Sequence, residues 1–224
     1  MSGKHVVTSN KGPVALYYKE LITLAKSKGV EFKFEGTVLS GTPAINLVMH
    51  TLKGAKIKEI RGILNGTTNF ILEKMEKGAT YNQALKEAQD LGYAEADPRG
   101  DVEGWDAMAK ILILSNAIMD ANIKKEDVHT EGITEISPQM IREALEEGKR
   151  WKLIAEARWD GGRFKASVSP RKIPEEDKLY SVNGVLNSIV FTTDTLGEVQ
   201  IIGPGAGRRE TGYAILTDIL SIYL

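Results

Sequence analysis

An α+β fold is predicted from three observations. Apolar residues recur with helical spacing through the first half of this 224-residue chain, they alternate with strand spacing through the second, and no repeat or linker separates the halves. Hydrophobic residues make up 42% of the sequence and charged residues 26%, ordinary for a globular protein able to bury a full core. Lysine plus arginine (29) nearly cancels aspartate plus glutamate (30), so neither nucleic acid nor an anionic membrane is an expected partner. The absence of cysteine excludes disulfides and thiolate metal sites. No signal peptide is apparent and the apolar stretches are too short to span a bilayer, so the expected setting is cytoplasmic.

Taken in order, "KHVVTSN" reads as a buried strand beginning almost at residue 1. "GPVALYYKELITLAKSKG" has helical spacing, with Pro13 in the first turn and Gly29 as the stop. "VEFKFEGTVL" alternates like a strand, and "PAINLVMHTLKG" predicts a short helix. "AKIKEIRGILNG" alternates around Ile57, Ile60 and Ile63, a strand. "TTNFILEKMEKG" and "TYNQALKEAQDLG" predict two helices, the second capped by Thr80 and stopped by Gly92. An acidic turn then leads to a helix from about residue 103 to 117. "RWKLIAEARW" and "FKASVSPRKI", joined through Asp160-Gly161-Gly162, predict a hairpin. "NSIVFTTD" and "EVQIIG" add two strands, and "GPGAG" opens a short final helix that is apolar nearly all round and therefore needs cover.

Chemistry concentrates in "LGYAEADPRGDVEGWDAMAKILIL". Five carboxylates, Glu95, Asp97, Asp101, Glu103 and Asp106, fall within twelve residues. Asp106 and Lys110 share a helix face. By itself that spacing describes an exposed ion pair worth about 0.3–0.5 kcal/mol. The apolar neighbours Trp105, Met108, Ile111, Leu112 and Leu114 favour a partly buried lysine, whose proton affinity is then adjustable. Pro98 and Gly100 let Glu95, Asp97 and Asp101 converge, which suits an ammonium ligand beside a proton-transfer residue; ordinary turn formation, with Asp101 capping the helix, is the competing account.

Four weaker signals accompany it. In "FEGTVLSGTPAI", carbonyls of Val38, Ser40 and Thr42 with Glu35 suit a hard cation, or form a plain loop. Lys11 sits at a strand end, where ligands gather in open α/β layers. In "ILNGTTNFIL", Gly66 and the following threonines cap a helix whose amides could receive a carboxylate. Gly203, Gly205 and Gly207 offer backbone amides at a helix start. His5, His50 and His129 form no triad.

The order of "TSNKGP", "FEGTVLSGTP", "RGILNGTTNFIL", "LGYAEADPRGDVEGWDAMAKILIL" and "GPGAG" closely resembles homoserine dehydrogenase, from residue 4 to the C-terminus and most strongly over residues 4–117. The resemblance implies a mixed β-sheet covered by helices, in a homodimer whose sheets pair. It implies reduction of L-aspartate 4-semialdehyde to L-homoserine with NADH or NADPH, on the branch to threonine, methionine and isoleucine. Lys110 and Lys11 would be the acid/base lysines, with Asp106 orienting Lys110. Glu95 and Asp101 would hold the substrate ammonium, with Thr67 and Lys11 near the substrate. Asn10, Lys11, Gly203, Gly205 and Gly207 would approach the cofactor. Glu35, Val38, Ser40 and Thr42 match a monovalent-cation loop, usually sodium.

On this resemblance, most of the family's Rossmann unit with its glycine fingerprint, and a regulatory ACT domain, are expected to be missing from this sequence. The organisation expected from the resemblance is therefore a remnant strand of the nucleotide-binding layer (1–12), a substrate-binding and dimerisation domain (13–202), and a loop and helix that would complete the nucleotide-binding layer (203–224). The chain alone is expected to bind NAD(P) poorly and to turn over slowly or not at all. A competing expectation is a non-catalytic paralogue serving dimerisation or ligand binding, against which the retention of Lys11, Glu95, Asp101, Asp106 and Lys110 argues. A third is a related dehydrogenase acting on another small carbonyl compound.

Overall fold

The computed structural model describes residues 3–224, so two residues of the expected 1–12 segment lie outside it. Among the described residues eight strands form in chain order: β1 (Val6–Val7), β2 (Phe32–Lys33), β3 (Ile57–Ile63), β4 (Val128–Thr130), β5 (Lys149–Asp160), β6 (Arg163–Pro174), β7 (Leu186–Thr193) and β8 (Glu198–Pro204). Six of them make one sheet in the order β4-β6-β5-β3-β7-β8; β1 and β2 make a separate parallel pair. The large sheet is mixed, because β4 runs parallel to β6 while every other pairing is antiparallel. The predicted hairpin closes as Asp160 pairs with Arg163. Gly161 and Gly162 both adopt positive φ (56° and 82°), the backbone a two-residue turn between right-twisted strands requires.

Eight α-helices accompany the strands among the described residues: α1 (Lys11–Ser27), α2 (Ala44–Asn46), α3 (Gly66–Glu76), α4 (Tyr81–Asp90), α5 (Arg99–Val102), α6 (Trp105–Met119), α7 (Pro138–Glu146) and α8 (Arg208–Tyr223). α6 is the central helix. Ile111, Leu112, Ile113 and Leu114 are all at most 1% exposed, because β3, β5 and β6 cover one side of it and α1 another. Each such side chain contributes roughly 1.5–3 kcal/mol over its exposed state. Strand alternation sends Leu153, Ala155 and Ala157 into this main core, and Ile154 into a smaller cluster with Ile63, Ile173, Leu179, Val182 and Val190. α4 begins with the predicted Thr80 cap, here a reciprocal capping box with Gln83, and buries Ala84 and Ala88.

Several expectations are corrected. "KHVVTSN" is not a buried strand: pairing covers only Val6 and Val7, and Val6 is 44% exposed. "VEFKFEGTVL" stays a strand only to Lys33, since a 3₁₀ turn over Glu35–Thr37 takes the chain away from the pair. The acidic segment folds first into the single turn α5, and α6 starts at Trp105 because Gly104 takes a left-handed conformation (φ 88°). The closing helix is not short; α8 runs for 16 residues and packs on β1 and the 35–37 turn. Helix α7 and strand β4 were not foreseen, although Ser137 and Pro138 mark the helix start in the usual way. Among the described residues no helix is long and apolar enough to cross a membrane.

Candidate active site

Lys110 is 8% exposed, and a buried ammonium needs acceptors for its protons. It finds two: Asp106 Oδ2 at 2.8 Å, one helical turn back, and the Leu64 carbonyl at 2.7 Å, just past the end of β3. The other Asp106 oxygen lies 3.0 Å from the ammonium of Lys11, the first residue of α1, whose side chain is 43% exposed. One carboxylate thus balances two lysines, one enclosed and one facing solvent. The exposed-ion-pair account of this spacing is overturned, since α1 and the sheet cover the helix that carries the pair.

Asn65 completes the cluster, and sequence reasoning missed it. It caps α3 by accepting the Thr68 N–H at 2.8 Å, while its Nδ2 donates to Asp101 Oδ1 at 2.6 Å and Asp106 Oδ2 at 2.9 Å. The cap is therefore Asn65, not the threonine pair. An asparagine ahead of Gly-Thr-Thr is a preferred N-cap and was a usable signal. Nor does Asp101 cap α6, whose N-cap Gly104 receives no side-chain bond; Asp101 turns toward Asn65 instead. The Thr67 hydroxyl donates to the Tyr93 carbonyl at 2.7 Å, tying the first turn of α3 to the acidic segment.

Charge states follow from these contacts. Burial alone would raise the Asp106 carboxyl, but the charges of Lys110 and Lys11, with hydrogen bonds from Lys110 and Asn65, hold it down at about 2. Asp101 goes the other way: burial raises it, the Asn65 hydrogen bond opposes, and the nearby Asp106 charge raises it further. Two carboxylates joined by one asparagine are thereby pushed apart in acidity, a pattern that accompanies acid/base sites.

An open cleft of about 1250 Å³ lies above the cluster. Lys11, Thr67, Glu95, Asp101, Asp106, Lys110, Val38, Ser40, Gly205 and Gly207 all open on it, so the structure gathers most of the predicted residues from five separate segments. Four lie elsewhere. Asn10 is an exposed residue ahead of α1, and Gly203 is held within β8, where a Cβ would come within 2.2 Å of the Thr42 hydroxyl. Glu35 and Thr42 are buried beside the cleft rather than lining it. Asp97 stays on the rim in a bidentate pair with Arg99 and does not join the carboxylates below.

Two features bear on which groups the cleft could hold. The carbonyls of Val38 and Ser40 accept no backbone hydrogen bond among the described residues, and Ser40 has the positive φ of 53°. The carboxylate of Glu35 accepts the N–H groups of Ile45 (3.1 Å) and Asn46 (2.6 Å) at the start of α2, and burial pushes it up to about 7. Among the described residues no group of three or more histidine or acidic side chains is placed to hold a metal, so a cation site here would rest on carbonyls. Beside the loop after β8, the Asn187 amide is 1% exposed, and among the described residues neither its nitrogen nor its oxygen is hydrogen-bonded. A Cβ on Gly205 would overlap it at 2.2 Å, and one on Gly207 would meet the Glu210 carboxylate, so these glycines let the backbone approach closely. An unsatisfied amide beside a bare backbone loop fits a ligand with donors and acceptors, such as a nicotinamide.

Comparison with known proteins adds a separate line. The model of the homoserine dehydrogenase family matches residues 43–220. The chain is 47% identical over 222 residues to the NAD(+)-dependent homoserine dehydrogenase of Pseudomonas canavaninivorans, covering 99% of this chain and 63% of that protein. It superposes on the crystal structure of a homoserine dehydrogenase from Thiobacillus denitrificans with a TM-score of 0.94 at 40% identity, covering 97% of this chain and 51% of that one. A hyperthermophilic archaeal homoserine dehydrogenase in complex with NADPH gives 0.85 at 38% identity, covering 98% and 64%. The chain thus spans between half and two thirds of the length of these relatives.

Proposed function

This chain belongs to the homoserine dehydrogenase family, and on that premise we propose that its cleft binds L-aspartate 4-semialdehyde and L-homoserine, with Lys110 exchanging the proton on their shared oxygen. The observation that carries the reading is the sharing of Asp106 between Lys110 and Lys11, at 2.8 and 3.0 Å. A carbonyl oxygen gaining negative charge needs a donor already in position and charged. Asp106 supplies both conditions: it stays ionised, so the ammonium of Lys110 is held and aimed. Lys11, half open to solvent, provides a second positive charge and a path by which the used proton is replaced.

The remaining groups suit the ends of an amino acid. Glu95 and Asp101 are acceptors for an ammonium, and the free amides of the first turn of α3, at Gly66 and Thr67, suit an α-carboxylate. NADH or NADPH, when bound, supplies the hydride; Lys11, Gly205 and Gly207, with Asn187 beside them, are the residues of this chain that would hold its nicotinamide end. The relatives named for NAD(+) and found with NADPH support that class of cofactor. A sodium ion on the Val38 and Ser40 carbonyls, with Glu35 and Thr42 adjoining, would balance the enclosed Glu35 charge. The pathway role in threonine, methionine and isoleucine synthesis and pairing of sheets in a homodimer belong to the same proposal.

Lys110→Ala tests it. In an enzyme in which this chain turns over, kcat should fall far more than KM rises, the pattern of an interaction made mainly in the transition state. In the isolated chain, L-homoserine should bind the wild type by calorimetry and bind Asp101→Asn more weakly. Unchanged kcat returns Lys110 to a structural ion pair, and absence of L-homoserine binding removes the substrate assignment.

A further inference from the structure

Lys152 on β5 is 0% exposed, and nothing in the proposed reaction uses it. Its ammonium donates to the Val182 carbonyl at 2.6 Å and to Asn69 Oδ1 at 2.9 Å. Asn69, on α3, passes the connection on: its amide donates to the carbonyls of Val182 (3.1 Å) and Gly184 (3.0 Å). One turn further along α3, Glu73 accepts the Gly184 N–H at 2.5 Å. From β5, Arg150 donates to Asn183 Oδ1 at 2.9 Å and lies 4.8 Å over the ring of Tyr180. The strap of residues 180–184 is thus fastened from both sides by buried polar groups. Its next residue, Val185, opens on the cleft. The Val185 carbonyl rests against Gly66, where a Cβ would come within 2.5 Å of it. Gly66 and Thr67 line the cleft beside it.

We propose that Lys152 is a positioning residue for the substrate pocket: its ammonium clamps the strap of residues 180–184 to α3 and so holds Val185 in place against the Gly66–Thr67 turn. The inference rests on the substrate reading given above. Stability alone does not account for such a group. Burial opposes its charge and pulls its pKa down to about 8, and a hydrophobic side chain of the same volume usually serves a core as well or better. What the ammonium supplies, and an apolar chain cannot, is directed bonds that hold the Val182 carbonyl and the Asn69 amide in one arrangement. With those bonds gone the strap is free to drift from α3, and a cleft wall displaced by a fraction of an ångström weakens a ligand that must touch it.

The absence of native cysteine permits a clean test. Lys152→Cys, alkylated in denaturant with 2-bromoethylamine and refolded, restores an ammonium on a side chain of nearly the same length. Alkylation with 1-bromopropane gives the same volume without charge. The aminoethyl protein should bind L-homoserine as the wild type does, and the propyl protein roughly tenfold more weakly at a similar melting temperature. The Gly66 amide and Val185 methyl NMR signals, read without ligand, should move in the propyl protein and return in the aminoethyl one. Equal affinity and unmoved signals in the propyl protein overturn the proposal. Glu73→Gln, which leaves the core lysine intact, is read in the same assays. It should shift the Val185 signals and weaken binding about threefold, and no change there overturns the proposal even if the position-152 proteins fail to refold. A wild type that does not bind L-homoserine defeats the substrate reading instead, while the ligand-free signals still decide the strap.

Discussion

Replacing Asp106 by asparagine separates a buried ion-pair site from a capped surface helix. The substitution keeps the shape and one oxygen but removes the charge that balances Lys110 and Lys11. Lys110, 8% exposed, then keeps its ammonium against the Leu64 carbonyl and a neutral amide oxygen. Breaking a buried pair from one side costs about 3–5 kcal/mol, and the surviving neutral hydrogen bond offsets about 1 kcal/mol. A net loss of roughly 2–4 kcal/mol is expected, against less than about 1 kcal/mol for an exposed pair. In a chain of this size that lowers Tm by roughly 5–15 °C. Urea unfolding at pH 7 measures it, and adding Lys110→Met should recover at least about 1 kcal/mol by removing the unbalanced charge. The pH dependence has a fixed sign. Asp106 has a depressed folded pKa of about 2 against the usual 3.8, so its stabilisation is complete above about pH 4 and is lost as pH falls through 2. The deficit of the variant should therefore close in acid. A loss under about 0.5 kcal/mol at pH 7, or a double variant no more stable than the single, refutes the buried-cluster argument.

Other outcomes are expected on the same footing. Lys152 titrates near 8 when folded and 10.5 when unfolded, so the unfolded chain binds more protons between those values and stability gains up to about 3 kcal/mol as pH rises through them; an uncharged Lys152→Met should lack that rise in urea titrations at pH 8 and 10, and an identical slope refutes the assignment. Gly66→Ala should destabilise by about 1–3 kcal/mol, because the new Cβ meets the Val185 carbonyl, a backbone atom with little room to retreat; wild-type Tm in thermal unfolding would show that the strap yields freely. Sodium chloride should raise Tm above choline chloride at equal ionic strength if the Val38 and Ser40 carbonyls take a cation, and identical melting in the two salts removes that part of the proposal.

How far the sequence could be read varies with the range of the forces involved. Thr80, the twin glycines at 161–162 and the alternation of β5 and β6 act within a few residues, and each produced the element it predicted. Lengths were harder where a distant contact ended an element. β2 stops at Lys33 because the next residues turn to place Glu35 under α2, and α6 starts late because Gly104 must pack against Thr130 and Val168. The site follows the same rule. Residue types and order in "GYAEADPRGDVEGWDAMAK" identified Lys110, Asp106 and Asp101 as chemistry-bearing, and helical spacing alone joined Asp106 to Lys110. By itself that pairing favoured a solvated surface helix.

What this sequence determined by itself is the local conformations, the apolar mass of the core and the family its motifs resemble, because these depend on neighbours along the chain. Tertiary structure decided that the Asp106–Lys110 pair is buried, that Lys11 shares it from the start of a different helix, and that Asn65 joins it to Asp101. It decided too that Lys152 fastens a strap thirty residues away from it. The physical reason is desolvation. Whether a charge is cheap or costly, free or held, depends on what covers it, and that cover comes from segments far apart in the chain.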